Sequence, residues 1–355
     1  MPLGALSLAL LLGGVNAACA PFHPPPPPLA PEAAGDAPAQ VWAARAGRRF
    51  TGRLVVHDST IYGAGLDRKV YAVDLASGQV RWSSRLSGLV AGGVLVLGDT
   101  VYAASARPEG RLYALDAGTG RRLWRVPTGP VSAPLALVGN TLIAATLDGR
   151  VLGVDPSTGN VRWRRKVGVA RVAAAPADSA AFILATVDSI FRITMADGKV
   201  LGRVRSPGTL LSPWVAKGPE LVAGTTDSLI VAIRPADLAE LWRVRLDAPV
   251  LGSPALRGDT IYAVTRRGTL YRVLADSAAR AEVVVALDWA VTAPVTVADG
   301  LLLLGGADGV VRALRADGEE AWRLQLWRPV ELGPLRLPDG ILAIGGDGDL
   351  HRYRR

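Results

Sequence analysis

The sequence predicts an all-β protein: an eight-bladed β-propeller of four-stranded antiparallel blades, with the ring closed by an N-terminal strand that joins the last blade. Three observations predict it. A segment of about 40 residues recurs along the chain, tryptophan recurs with it at near-constant spacing, and each chain end holds part of a blade that the other end completes.

The recurrence is clearest in residues 70–82, 112–124 and 151–163. In these copies Asp74, Asp116 and Asp155 are followed four residues on by Gly78, Gly120 and Gly159, and eight residues on by Trp82, Trp124 and Trp163. Weaker copies continue the register. Residues 190–202 keep Gly198 but lose the tryptophan, and residues 230–242 keep Trp242 but lose the glycine. The copy near 270–284 is eroded, whereas 310–322 restores Gly318 and Trp322. With Trp42 as the first marker, the series runs 42, 82, 124, 163, 202, 242, about 284 and 322, which makes eight.

Each repeat divides into four short β-prone runs. In the third these are 131–138, 141–147, 150–154 and 160–167, punctuated by Gly139-Asn140, Asp148-Gly149 and the Asp-to-Gly turn. The turn aspartate can accept backbone N–H groups two residues on, and glycine takes positive φ without a Cβ penalty, so both are expected to be structural. Tryptophan on the outermost strand offers a large apolar body to fill the gap to a neighbouring blade, with an N–H free to find a carbonyl. Such repeats bury both faces only by stacking around a ring.

The innermost runs share a small-residue and proline signature that includes Pro134, Pro176, Pro213, Pro254, Pro294 and Pro334. A strand lining a channel has one edge without a ladder partner, so a missing N–H there costs little. At the C-terminus three runs remain, 330–337, 341–345 and 350–354, and residues 40–45 with Trp42 supply the missing fourth. Pairing them removes two open edges.

Ahead of the repeats, residues 1–18 read as a signal peptide, with an apolar run from Leu3 to Val15 that is too short to span a bilayer. Cys19, the only cysteine, follows Asn16-Ala17-Ala18 and is the expected lipidation site; ordinary cleavage near Ala18-Cys19-Ala20 and an unprocessed N-terminus are the alternatives. Residues 19–39 form a proline-rich spacer, and the propeller is expected over 40–355.

Charge and candidate chemistry exclude more than they suggest. The formal charge is +9, and of 40 basic residues only Lys69, Lys166, Lys199 and Lys217 are lysine. Many arginines flank the outer-strand tryptophans, where they discourage edge-to-edge pairing or attract an anionic partner. Nucleic acid is not expected as a partner of an exported chain. The three histidines, His23, His57 and His351, have no metal-ligand spacing, although His57 and His351 fall in blades that a closed ring makes neighbours. No nucleophile elbow, zinc-protease or phosphate-loop pattern occurs, so no catalytic, cofactor-binding or metal residue is assigned. Asp347-Gly348-Asp349 and Ala307-Asp308-Gly309 read as turns.

The Asp-x-x-Ser/Thr-Gly-x-x-x-Trp copies at 74–82, 116–124 and 155–163 resemble the repeat of pyrroloquinoline-quinone (PQQ) type propellers, over residues 40–355. In length, blade count and N-terminal lipobox the chain is similar to the BamB-like lipoproteins of outer-membrane protein assembly. That resemblance implies a non-catalytic scaffold on the periplasmic face of the outer membrane, or secreted. It would be a monomer within a larger complex, binding protein partners through inter-blade loops and touching the membrane by its lipid anchor only. No cofactor is implied. The quinoprotein dehydrogenases share the repeat but carry adjacent cysteines and a calcium site that have no counterpart here. A small PQQ-dependent or other cofactor-binding enzyme is one alternative, and a sensor or polysaccharide-binding propeller another.

Overall fold

The computed structural model describes residues 37–355 apart from 107–109, 211, 251, 276–278 and 327. Cys19, the signal peptide and the spacer up to residue 36 lie outside the described residues. Eight four-stranded antiparallel sheets form, each a meander from an innermost to an outermost strand. We number them as blades 1 to 8 from Val55–His57 onward. Blade 8 is composite: Leu332–Leu337, Gly340–Ile344 and Asp349–Arg354 are completed by Ala39–Arg45 from the other end of the chain. In that closing pair Trp42 stands opposite Arg352, Ala43 opposite His351 and Arg45 opposite Asp349.

In six of the eight blades the innermost strand is only two or three residues long, shorter than the sequence suggests. In blade 3 the ladder holds only Ala136–Val138, and Val131 makes an isolated bridge to Thr146 in place of a continuous run over 131–138. The intervening segment turns sideways instead. Ser132 Oγ donates to the Ala170 carbonyl of blade 4 at 2.8 Å, and a Cβ on Gly92 of blade 2 would lie 2.5 Å from Pro134 Cα. The proline segments therefore tie blade to blade around the channel as well as to the second strand of their own blade.

The core is divided among the seams. Eight apolar clusters occur, and each draws its residues from two adjacent blades. At four successive seams the outer tryptophan reaches the Asp-to-Gly turn of the next blade. Trp42 Nε1 donates to Leu75 O at 3.0 Å, Trp82 to Ala117 O at 2.8 Å, Trp124 to Pro156 O at 3.1 Å and Trp163 to Met195 O at 2.7 Å. Second donors converge on three of these carbonyls: Tyr62 on Ala117 O, Tyr102 on Pro156 O, and at the closing seam Arg352 on Leu75 O.

The glycine requirement follows from the same contact. A Cβ on Gly78 would approach Trp42 to 2.8 Å, on Gly120 Trp82 to 2.4 Å, on Gly159 Trp124 to 2.7 Å and on Gly198 Trp163 to 2.5 Å, all at positive φ. Each aspartate fixes the turn from inside. Asp74 Oδ1 accepts from Ser77 N, Asp116 Oδ1 from Thr119 N and Asp155 Oδ1 from Ser157 and Thr158 N. The Arg81 guanidinium and the Ser77 amide hold the Asp74 carboxyl down at about 2. Asp155 is held lower still, by the Ser157 hydroxyl and Arg162.

The two irregular repeats compensate one another. Blade 4 has Gly202 in the tryptophan position, opposite Arg192, and the turn it faces in blade 5 has Leu238 where the glycine would be. Leu238 is buried, adopts φ +63°, and puts its Cδ1 3.6 Å from where a Cβ on Gly202 would stand. At the seam between blades 6 and 7 the marker near 284 splits: Glu282 stands opposite Arg272 and pairs with it, while Val284 and Val285 pack over Gly318. Trp242 donates within its own blade, to Glu220. Trp322 faces the composite blade, where the chain ends take the place of a turn, and its buried Nε1 has no acceptor among the described residues.

Two outcomes test this account. Deleting Ala39–Arg45 opens two sheet edges and should cause a cooperative loss of stability in thermal melts, whereas deleting residues 20–36 should leave the transition in place. Gly202→Trp alone should destabilise by clashing with Leu238. Combined with Leu238→Gly it should recover, giving a coupling of about 1–3 kcal/mol in a double-mutant cycle.

Candidate docking face

The chemically capable side chains are distributed as follows. His351 is buried in blade 8 between Ala43 and Ala343 and stacks on Tyr353 with ring centroids 6.4 Å apart. His57 ends the innermost strand of blade 1, half-buried, with Asp58 3.6 Å away. Among the described residues no group of three or more His, Cys, Asp or Glu side chains is placed to hold a metal ion. Asp308 lies in a turn, as does Asp347, the latter at φ +59°. Turn aspartates are occupied with capping and with arginine: Asp74 with Arg81, Asp155 with Arg162, Asp178 with Arg192 and Asp339 with Arg352 and Arg354.

The two faces of the disc differ. One carries the turns between strands one and two and the Asp-to-Gly turns, which are held by the seams. The other carries the turns between strands two and three together with the blade-to-blade connections. On this second face one hydrogen bond repeats in every blade, from the first turn N–H to a carbonyl of the preceding connection. Examples are Leu66 to Arg49 at 3.0 Å, Leu147 to Pro130 at 2.8 Å, Val187 to Val169 at 3.2 Å and Thr226 to Thr209 at 2.9 Å. Since the bond is the same in each blade, the residues donating it stand at equivalent heights.

A groove of about 580 Å³ opens on this face at the seam between blades 4 and 5. Its wall is the connection 206–209, pinned by Ser206 N to Asp188 O at 2.9 Å and by Thr209 Oγ1 to Val187 O at 3.2 Å. Arg205, Asp188, Asp227 and the paired Glu240 and Arg243 also line it, so both signs of charge are presented. A second cleft, of about 380 Å³, lies beside Trp289, whose ring is covered by the Arg312 guanidinium at 4.3 Å. Neither was legible in the sequence, because each is assembled from turns of two blades. The signal that could have pointed to the first was the joint loss of tryptophan at 202 and glycine at 238, which marks an altered seam.

Eight four-stranded blades, joined at four successive seams by tryptophan-to-turn contacts, define a propeller of the quinoprotein-like repeat class. A family model described as outer membrane protein assembly factor BamB matches residues 33–183 and 186–284. The chain belongs to that family. It is 24% identical to outer membrane protein assembly factor BamB of Bordetella pertussis over 281 residues, covering 73% of this chain and 71% of that one. A match to the tetrathionate hydrolase of Acidithiobacillus ferrooxidans, 30% identical over 168 residues, covers 40% of this chain and spans only 34% of the relative. A quinohemoprotein alcohol dehydrogenase of Pseudomonas putida is 32% identical over 131 residues, 30% of this chain and 19% of its own length. Among solved structures, BamB from Moraxella catarrhalis superposes with a TM-score of 0.76 over 90% of this chain and all of that one, at 16% identity, a likeness of fold.

His351 supplies a pH test of the closing blade. Burial lowers its pKa from 6.5 to about 4, so the folded state favours the neutral ring. Stability from this group is whole above pH 6.5 and declines as pH falls toward 4, by about 3 kcal/mol at roughly 1.4 kcal/mol per pKa unit. Asp349, raised by burial, works in the opposite direction. Denaturant titrations from pH 7 to 4 should show the decline, and His351→Phe should flatten it.

Proposed function

We propose that this chain is a non-catalytic scaffold of outer-membrane protein assembly, exported to the periplasmic face of the outer membrane and tethered there through lipidated Cys19. It holds protein partners at the groove between blades 4 and 5. Family membership supports the setting, and one observation carries the site: a connecting loop, pinned at both ends, walls a groove with charges of both signs at the seam that departs from the tryptophan pattern. A rigid, mixed-charge concavity on inter-blade loops suits recognition of a protruding polar segment, with steering by charge and little rearrangement on binding.

The groove can be probed in cells. A photo-crosslinking residue at Asp227 should give discrete protein adducts in the envelope, and the same residue at Asp259 on the opposite face should give none. Arg205→Glu should abolish the Asp227 adducts without moving the melting temperature. The quinoprotein relatives motivate a companion measurement: PQQ with calcium should leave the melting temperature unchanged, and a saturable rise accompanied by dye reduction would replace the scaffold with an enzyme.

A further inference from the structure

Half of the second face carries exposed aliphatic side chains in its turns and connections. Leu66, Leu89, Leu147 and Val187 are 44%, 44%, 42% and 45% exposed. All four belong to the repeated hydrogen bond of blades 1 to 4, three as donor residues and Leu89 as the acceptor for Ala106. In blades 5 to 8 the donor position is held instead by Thr226, Arg266, Ala307 and Gly346. The bond sets the backbone of Leu66, Leu147 and Val187 at equivalent heights, and Leu89 lies on the accepting side of the same bond. Val187 also lines the groove between blades 4 and 5.

Cations stand outside the same arc. Arg68 lies in the first turn, and Arg85, Lys166 and Arg205 end the outer strands of blades 1, 3 and 4; all four are exposed. None has a carboxylate partner among the described residues, whereas nearby Asp148 is engaged by Arg150, Asp188 by Arg203 and Asp67 by Tyr71. The half-face thus presents exposed aliphatic side chains on one repeated backbone position and its acceptor, together with positive charge that has no carboxylate partner among the described residues.

We propose that this half of the disc docks on an anionic phospholipid surface, with the leucine and valine tips entering the headgroup boundary and the four cations meeting lipid phosphates. A flat array of aliphatic side chains fits a plane. Protein hot spots, by contrast, draw on aromatic anchors, and none of the four exposed tips is aromatic. Basic residues near an anionic leaflet add attraction that salt screens. Docking of this kind goes beyond a lipid tether, because it fixes which face of the scaffold the membrane covers and leaves the adjoining groove at the membrane's edge.

Vesicle sedimentation tests it with the exported chain made lipid-free by Cys19→Ala. Vesicles of phosphatidylcholine and phosphatidylglycerol should bind the protein, vesicles of phosphatidylcholine alone should not, and added salt should release it. Leu66→Ser with Leu147→Ser, and separately Arg85→Gln with Lys166→Gln, should each weaken binding by about tenfold or more. Leu97→Ser with Leu241→Ser, away from this half-face, should bind as the parent, and melting temperatures should confirm that every variant is folded. Indifference to phosphatidylglycerol, or equal losses in all three pairs, overturns the proposal. So does a photo-crosslinker at Leu147 that captures a protein instead of lipid in cells. The Asp227 adducts are read separately, so failure of lipid docking and failure of the groove as a protein site are distinguishable.

Discussion

Every blade depends on its neighbour for the burial it cannot achieve alone. The decisive contact is the tryptophan of one outer strand seated over the Asp-to-Gly turn of the next blade, with its N–H on a turn carbonyl. That contact dictates a glycine under the ring, a self-capped aspartate to hold the turn, and a ring that closes so that the last blade also has a neighbour. Burying an indole without an acceptor costs on the order of 1–3 kcal/mol, so the turn carbonyl matters as much as the apolar packing.

Departures from the pattern obey the same constraint. Where the tryptophan is absent at Gly202, the glycine is absent too, and Leu238 fills the space from the opposite side in a backbone conformation that leucine seldom adopts. Volume is conserved at the seam rather than residue identity, as close packing requires. Where valines replace the indole, the glycine stays, because Val284 and Val285 approach Gly318 nearly as closely. At the composite blade the chain ends leave Trp322 without a turn carbonyl, and Arg352 takes the second-donor place at Leu75 O that tyrosine holds at the next two seams. The closing seam keeps the repeated contact, with Trp42 over Gly78 and its N–H on Leu75 O, and adds Arg352 and the strand pairing of Ala39–Arg45 with Asp349–Arg354.

Rigid seams leave variation to the turns of the second face. Its backbone is held in the same way in all eight blades, but the side chains there range from leucine to arginine to glycine. Function is thereby separated from fold. The scaffold residues are occupied with one another, while short turns present whatever chemistry the partner or surface demands. The groove and the apolar arc meet at Val187, so a protein held in the one would lie beside whatever covers the other.

The sequence by itself determined the blade count, the four-strand repeat and the closure. These rest on local periodicity and on turn chemistry that a few residues specify, such as Asp74 with Gly78 or the completion of 330–354 by residues 40–45. It also expected the tryptophans to fill the gap to a neighbouring blade with an N–H on a carbonyl, which the structure shows at four seams. What the spacing within a repeat did not reveal is that the surface met there is the Asp-to-Gly turn of the next repeat, because only the radial stacking of blades brings the two face to face. The same reason hid the compensation between Gly202 and Leu238, the turn of residues 132–135 toward blade 4, and the split marker at Glu282 and Val284. Only the tertiary structure decided which turns share a face. The groove and the arc are each built from residues of different blades and connections, whose adjacency comes from the radial stacking of blades and from no pattern within any one of them.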